Sequence, residues 1–204
     1  AKISCATIVD FPRFSYRGMH LDVSRHFMPM SQIYKMIDEL ERHKMNVFHW
    51  HLVDDQGWRI EIKKYPKLTD VGAWREDKSD KHWNDRSLSK AGAKTTYGGY
   101  YTQEEISSLV AYAAERNITV IPEIEMPAHV MSVLAAYPEL SCTGENLGVP
   151  PGGVWPITHI YCAGKEETFN FLEDVLTEVM EIFSSSYIHI GGDEADKTEW
   201  KKCD

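Results

Sequence analysis

Four times along the chain a short run of apolar and β-branched residues ends in charged side chains, and amphipathic helical stretches separate the runs. The runs are Tyr16 to Val23, which mixes apolar and polar positions, Met45 to Val53, Ile118 to Pro122 and Tyr187 to Ile190. Asp22 and Arg25 stand at the end of the first, Asp54 and Asp55 follow the second, Glu123, Glu125 and His129 the third, and Asp193 and Glu194 the fourth. Strands alternating with helices build a parallel β/α sheet. Polar residues at every carboxyl end favour a (β/α)8 TIM barrel, whose active site lies on that rim. A doubly wound sheet gathers its ligands at one switch point and carries a Gly-rich phosphate loop, which this sequence lacks. A complete barrel takes about 250 residues, so four strand–helix units predict a half barrel, with residues 1–204 as one domain.

The helices announce themselves by spacing. Ile33, Ile37 and Leu40 share one face after Ser31, and Phe169, Leu172, Val175, Leu176 and Val179 recur between Glu166 and Phe183. Thr102 to Glu105 is a capping box ahead of Ile106, Leu109, Val110 and Ala113. Asn117 could accept a glycan within Asn117-Ile118-Thr119, but it sits where this helix ends and suits a left-handed cap better. Residues 56–101 are polar, broken by Gly and Pro and rich in Trp and Tyr. So long a connection reads as a functional insertion.

A net charge of −9 argues against polyanionic partners, so neither nucleic acid nor a membrane surface is expected, and a neutral polar substrate fits better. No apolar run reaches the roughly 20 residues that span a bilayer, so no membrane insertion is expected. The start at Ala1 does not read as a signal peptide. The four cysteines, Cys5, Cys142, Cys162 and Cys203, are widely spaced and form no C-x-x-C pair, which argues against thiolate metal chemistry. Cys142 and Cys162 flank a Gly/Pro loop and are read equally well as a disulfide or as free thiols. An extracytoplasmic location (periplasmic, secreted or lysosomal) is the expectation that accompanies the disulfide.

Asp193-Glu194, after Gly191-Gly192, is the sharpest local signal. Adjacent carboxylates at the end of a buried strand repel each other and lose solvation unless they are used or paired. Neighbours on a regular strand face opposite ways, so both serve one pocket only if the glycines distort the strand end. Together with Arg17 to Phe27, Asn46 to Arg59 and Pro122 to His129, the segment His189 to Glu194 resembles glycoside hydrolase family 20, the β-N-acetylhexosaminidases, with all four motifs in the family's order. Ala128 and Glu125 stand where many members have Gly and Asp.

The resemblance implies an exo-acting enzyme that removes terminal GlcNAc or GalNAc with retention, the substrate's own acetamido oxygen acting as nucleophile. Asp193 would hold the acetamido nitrogen. Glu194 would protonate the leaving oxygen and later activate water, which requires it to carry a proton near neutral pH. Asp54 and His129 are matched to a support pair for the acid, and Arg25 to the arginine that grips the terminal sugar. Taken alone, Arg25 reads equally as a surface ion pair with Asp22 or Glu39. The implied partner is an oligosaccharide or glycoconjugate ending in a β-linked N-acetylhexosamine, with no cofactor and no metal. The resemblance also makes this chain the N-terminal half of the catalytic barrel, inactive by itself, the remaining half coming from the same or another chain.

Two other readings compete. His49 and His51 share a strand face, as in metal-dependent barrel hydrolases, although the sequence displays no further His-rich cluster. A non-catalytic sugar-binding or assembly fragment is the other. Trp58, Trp74 and Trp83 read either as sugar-stacking platforms or as a small core of the insertion.

Overall fold

A computed structural model describes residues 5–203. The chain begins its ordered core with β1 (Gly18–Asp22), α1 (Met30–Arg42) and β2 (Val47–His51). Two short hairpins follow, β3 (Val53–Asp54) with β4 (Gly57–Trp58) and, after the single turn of α2 (Lys67–Asp70), β5 (Trp74–Arg75) with β6 (Tyr97–Gly98). Then come α3 (Gln103–Ala114), β7 (Thr119–Glu123), α4 (Met131–Ala136) and α5 (Glu166–Ile182). The architecture is α/β, with parallel strands in the order β1-β2-β7.

β2 lies between the other two strands and is covered on both faces, which explains its continuous apolar character. Phe48 and Trp50 are fully buried in the main apolar cluster with Ile33 and Ile37 of α1 and Ile106 and Leu109 of α3. His49 and His51, at alternate positions, face the other way and meet Glu123 at the end of β7. The capping box forms as read: Glu105 N–H donates to the Thr102 hydroxyl, and Thr102 N–H donates to the Glu105 carboxylate. Asn117 closes the same helix at φ 56°, while Ile118 N–H reaches back to Ala113 O at 3.0 Å, the bond a left-handed cap makes.

Three expectations need correction. The run Met45–Val53 is not one strand: after His51 the chain leaves the sheet, and Val53 pairs with Trp58 instead. Tyr187–Ile190 forms no regular strand. It bonds beside β7 through His189 N–H to Pro122 O at 2.9 Å and Ile124 N–H to His189 O at 2.9 Å. Among the described residues nothing pairs with its other side, and Tyr187 is 74% exposed. Phe169 is 46% exposed, because the buried face of α5 runs through Thr168, Phe171, Val175 and Val179. The insertion divides its aromatic residues: Trp58 and Tyr101 are buried in the main core, whereas Trp83 opens onto a surface cleft.

Candidate active site

The carboxyl ends of β1, β2 and β7 and the segment after Ile190 deliver their polar side chains to one place. β1 ends in Asp22, which accepts from Arg25 Nη1 at 2.9 Å and from the Arg25 backbone N–H at 3.0 Å. The surface ion pair considered for Arg25 thus forms with Asp22, while Glu39 pairs with Arg42. The same guanidinium also reaches inward, with Nη2 on Asp54 Oδ2 at 2.5 Å and Nε on Gln56 Oε1 at 3.1 Å. Arg25 is therefore held on three sides and lines a cleft of about 630 Å³ together with Asp55, Gln56, Trp83, His129 and Glu194.

Asp54 is buried and serves several donors. Besides Arg25 it meets His51 Nε2 at 3.0 Å, and its Oδ1 lies 3.4 Å from His129 Nδ1. Burial alone would raise its pKa, but the hydrogen bonds from His129 and His51 and the Arg25 charge hold it below the usual carboxylate value. Asp55, pointing out of the β3–β4 turn, takes the shorter contact with His129 Nδ1, 3.1 Å, and accepts from Met131 N–H at 3.1 Å. The support for His129 is thus shared by Asp54 and Asp55 rather than resting on Asp54 alone. Hydrogen bonds to Asp54 and Asp55 outweigh desolvation and push the His129 pKa up to about 11, so the ring is a cation with two N–H donors at neutral pH.

Asp55 thereby fixes the His129 ring. Its free nitrogen, Nε2, stands 3.2 Å from Glu194 Oε2 and 3.8 Å from Asp193 Oδ2. The adjacent carboxylates do meet at one point, and the glycines make this happen. Gly191 and Gly192 have φ of 63° and 101°, and Glu194 itself lies at φ 50°, a region only glycine adopts freely. Gly191 is also needed for space, because a Cβ there would overlap the Glu125 carboxylate. His129 is the other left-handed non-glycine residue of the site, at φ 57°. The Asp193 and Glu194 side chains are 67% and 48% exposed, with His129 beneath them.

Below the rim lies a cluster that sequence reasoning missed. Glu123 Oε2 is 2.7 Å from His49 Nε2 and 2.8 Å from His51 Nδ1, Oε1 is 2.9 Å from His189 Nδ1, and His20 Nε2 approaches within 3.5 Å. The sequence argument that no other histidines accompany His49 and His51 therefore fails in space. The register makes the cluster: His20 pairs with His49, and His51 and His189 flank Glu123 two residues further on. These imidazoles hold the Glu123 pKa far below the ordinary range in spite of its burial. His51, bonded to both Asp54 and Glu123, is pushed up to about 10 although burial opposes it. Glu125 goes the other way, raised to about 8 by burial, with the Glu123 and Asp54 charges reinforcing it against the His51 cation.

Of the tryptophans, Trp83 alone lines the cleft, with Arg75 and Arg86 guanidinium groups 5.6 and 5.1 Å from its ring. Trp58 is core, and Trp74 packs in β5 away from the carboxylates.

Paired carboxylates, a cationic histidine and an anchored arginine thus meet on the carboxyl rim of a parallel β/α sheet, an arrangement suited to acid–base chemistry. Residues 14–204 match the family described as glycosyl hydrolase family 20, catalytic domain, and the chain belongs to that family. It is 49% identical over 197 residues to a beta-hexosaminidase of Porphyromonas gingivalis, covering 96% of this chain and 23% of that protein. A beta-N-acetylhexosaminidase structure from Bacteroides fragilis superposes with a TM-score of 0.78 at 44% identity, over 95% of this chain and 34% of that one. A Vibrio harveyi exo beta-N-acetylglucosaminidase, solved with N-acetylglucosamine bound, gives a TM-score of 0.77 at 36% identity over 96% of this chain and 30% of that one. The chain thus spans about a quarter to a third of the length of these relatives.

Proposed function

We propose that the polypeptide is an exo-acting β-N-acetylhexosaminidase that removes terminal GlcNAc or GalNAc from glycans or chitooligosaccharides by substrate-assisted, retaining hydrolysis. The observation that carries this reading is the convergence of Asp193 and Glu194 on His129 Nε2 at the edge of the cleft lined by Arg25. The two carboxylates are neighbours in sequence, too close to flank a scissile bond as acid and enzyme nucleophile, which stand about 5 Å or more apart. A nucleophile supplied by the substrate removes that conflict. Asp193 accepts a hydrogen bond from the acetamido N–H and balances the positive charge the group acquires as its oxygen attacks the anomeric carbon. Glu194, oriented by His129, gives its proton to the leaving oxygen and then takes one from the incoming water. Arg25, braced by Asp22 and Asp54, offers its fork to vicinal hydroxyls of the terminal sugar.

In this reading residues 1–204 are the N-terminal half of a (β/α)8 catalytic domain, the remaining strands come from the same or another chain, and the enzyme works outside the cytoplasm. No cofactor is required by the chemistry. The relatives' names and the bound N-acetylglucosamine of the Vibrio harveyi enzyme support the substrate class.

The deciding experiment follows release of 4-nitrophenol from its β-N-acetylglucosaminide and β-N-acetylgalactosaminide by this chain, by the chain extended by roughly 150 residues, and by the extended Asp193→Asn variant. Turnover by the extended wild type alone, untouched by chelator, is expected. Silence on both substrates, or a requirement for added zinc, would overturn the proposal.

A further inference from the structure

The cysteines that lie far apart in sequence meet away from the carboxylates. Cys142 follows the turn after α4, Cys162 precedes α5, and Cys203 ends the segment that follows Glu194. Three contacts bring them together. Ser141 pairs with Tyr161, Cys162 N–H donates to Leu140 O at 2.8 Å, and Trp200 Nε1 donates to Tyr161 O at 2.7 Å. Cys162 Sγ lies 2.8 Å from Cys142 Sγ and 3.4 Å from Cys203 Sγ. Cys162 is fully buried, and the half-buried Cys142 and Cys203 border a cleft of about 150 Å³ with Gly164 and Trp200. The sequence offers no C-x-x-C pair, and the thiols meet because three loops fold onto one another.

We propose that Cys142 and Cys162 are a redox-modifiable pair that exchanges with small disulfides to form a Cys142–Cys162 bond, with Cys203 as a third thiol poised to compete for Cys162. A structural metal site, which takes four ligands, is the rival for such a cluster of three sulfurs. The shortest separation favours a bond, because it lies within one pair rather than being spread evenly over three.

The two thiols differ in acidity. Burial raises both thiols, yet hydrogen bonds from Cys142 and from Gly164 N–H, with the Lys165 charge, bring Cys162 below the ordinary thiol value, whereas Cys142 is pushed up to about 12. Cys142, the half-buried member of the pair, loses its proton to solvent, attacks one sulfur of a small disulfide such as glutathione disulfide and expels one glutathione thiolate. The buried Cys162, as its thiolate, then attacks the Cys142 sulfur of the mixed disulfide and expels the second. Two protein thiols are oxidised, one glutathione disulfide is reduced to two glutathiones, and no other oxidant is needed. The bond closes the loop between Cys142 and Cys162, which contributes Gly153, Val154 and Ile157 to the wall of the active-site cleft. Oxidation therefore braces that wall, and a Cys162–Cys203 bond would instead tie it to the segment following Glu194.

The test equilibrates the full-length polypeptide with graded mixtures of glutathione and glutathione disulfide, quenches with N-ethylmaleimide and maps unreduced peptides by mass spectrometry. A Cys142–Cys162 linked peptide should grow with oxidation while Cys203 stays alkylated. Cys142→Ser should move the link to Cys162–Cys203, and Cys162→Ser should abolish both, with circular dichroism confirming that each variant folds. Three alkylated cysteines even in glutathione disulfide alone would overturn the proposal, as would a wild-type link through Cys203. One equivalent of zinc retained by the reduced protein, shielding all three thiols, would make the cluster a metal site instead.

Discussion

Glu125 carries a conflict that a single substitution resolves. It is buried beside Glu123 and Asp54, one of its oxygens has no hydrogen-bond partner, and its pKa lies at about 8. A carboxyl group whose pKa is higher in the folded than in the unfolded state binds its proton more tightly when folded, so stability is lost as pH rises from about 4.5 to about 8. Glu125→Gln removes that loss. Urea midpoints of wild type and variant in the full-length protein should diverge in the variant's favour across this interval, and parallel curves would sink the argument. Asp55 has a different task. Asp55→Asn should leave KM little changed and lower kcat by about 10²-fold, because His129 loses the anchor that aims Nε2 at Glu194. An unchanged kcat would show that Asp54 alone orients the ring. Glu194→Gln should cost about 10²–10⁴-fold, most with poor leaving groups, which rate ratios between 4-nitrophenyl and chitobiose substrates will reveal. The Gly-Gly turn singled out Asp193 and Glu194 in the sequence, and both approach His129, whereas the contact to that ring assigned to Asp54 is shared by Asp55. Alternation along a strand cannot say which of two adjacent aspartates faces a histidine once the chain turns into a hairpin.

At the scale of elements, the insertion is fastened by Arg59. Its guanidinium is fully buried without a carboxylate partner and donates instead to the backbone carbonyls of Val23, Ser24, Ala73 and Gly99. It thereby ties the loop after β1 to the hairpins that hold Arg75 and Trp83 against the cleft. Arg59→Met keeps the bulk but leaves four buried carbonyls without donors, and should cost about 3 kcal/mol or more in denaturant unfolding. A loss below about 0.5 kcal/mol, the range of ordinary surface substitutions, would mean that water replaces the guanidinium. Helix faces and the capping box were legible because their periodicity and spacing are local. The short strands of the insertion were not, since each has only two residues and exists through its partner.

For the whole molecule, the outer edge of β1 and the far side of Tyr187–Ile190 have no strand beside them among the described residues. Met19, Tyr187 and Ile190 are exposed there. If the half-barrel proposal holds, these edges are covered in the complete domain, and the 204-residue chain by itself should self-associate. Light scattering of the chain and of its extension by roughly 150 residues tests this. A monodisperse, stable monomer of the short form would count against the missing half.

The sequence by itself determined the alternation of strands and helices, the collection of acids at strand ends and the Gly-Gly turn before Asp193, because each is written in neighbouring residues. Tertiary structure decided the sharing of His129 between Asp54 and Asp55, the gathering of His20, His49, His51 and His189 around Glu123, and the meeting of three cysteines. Those contacts join segments separated by tens of residues, and only the parallel register and the folding of the loops bring them within bonding distance.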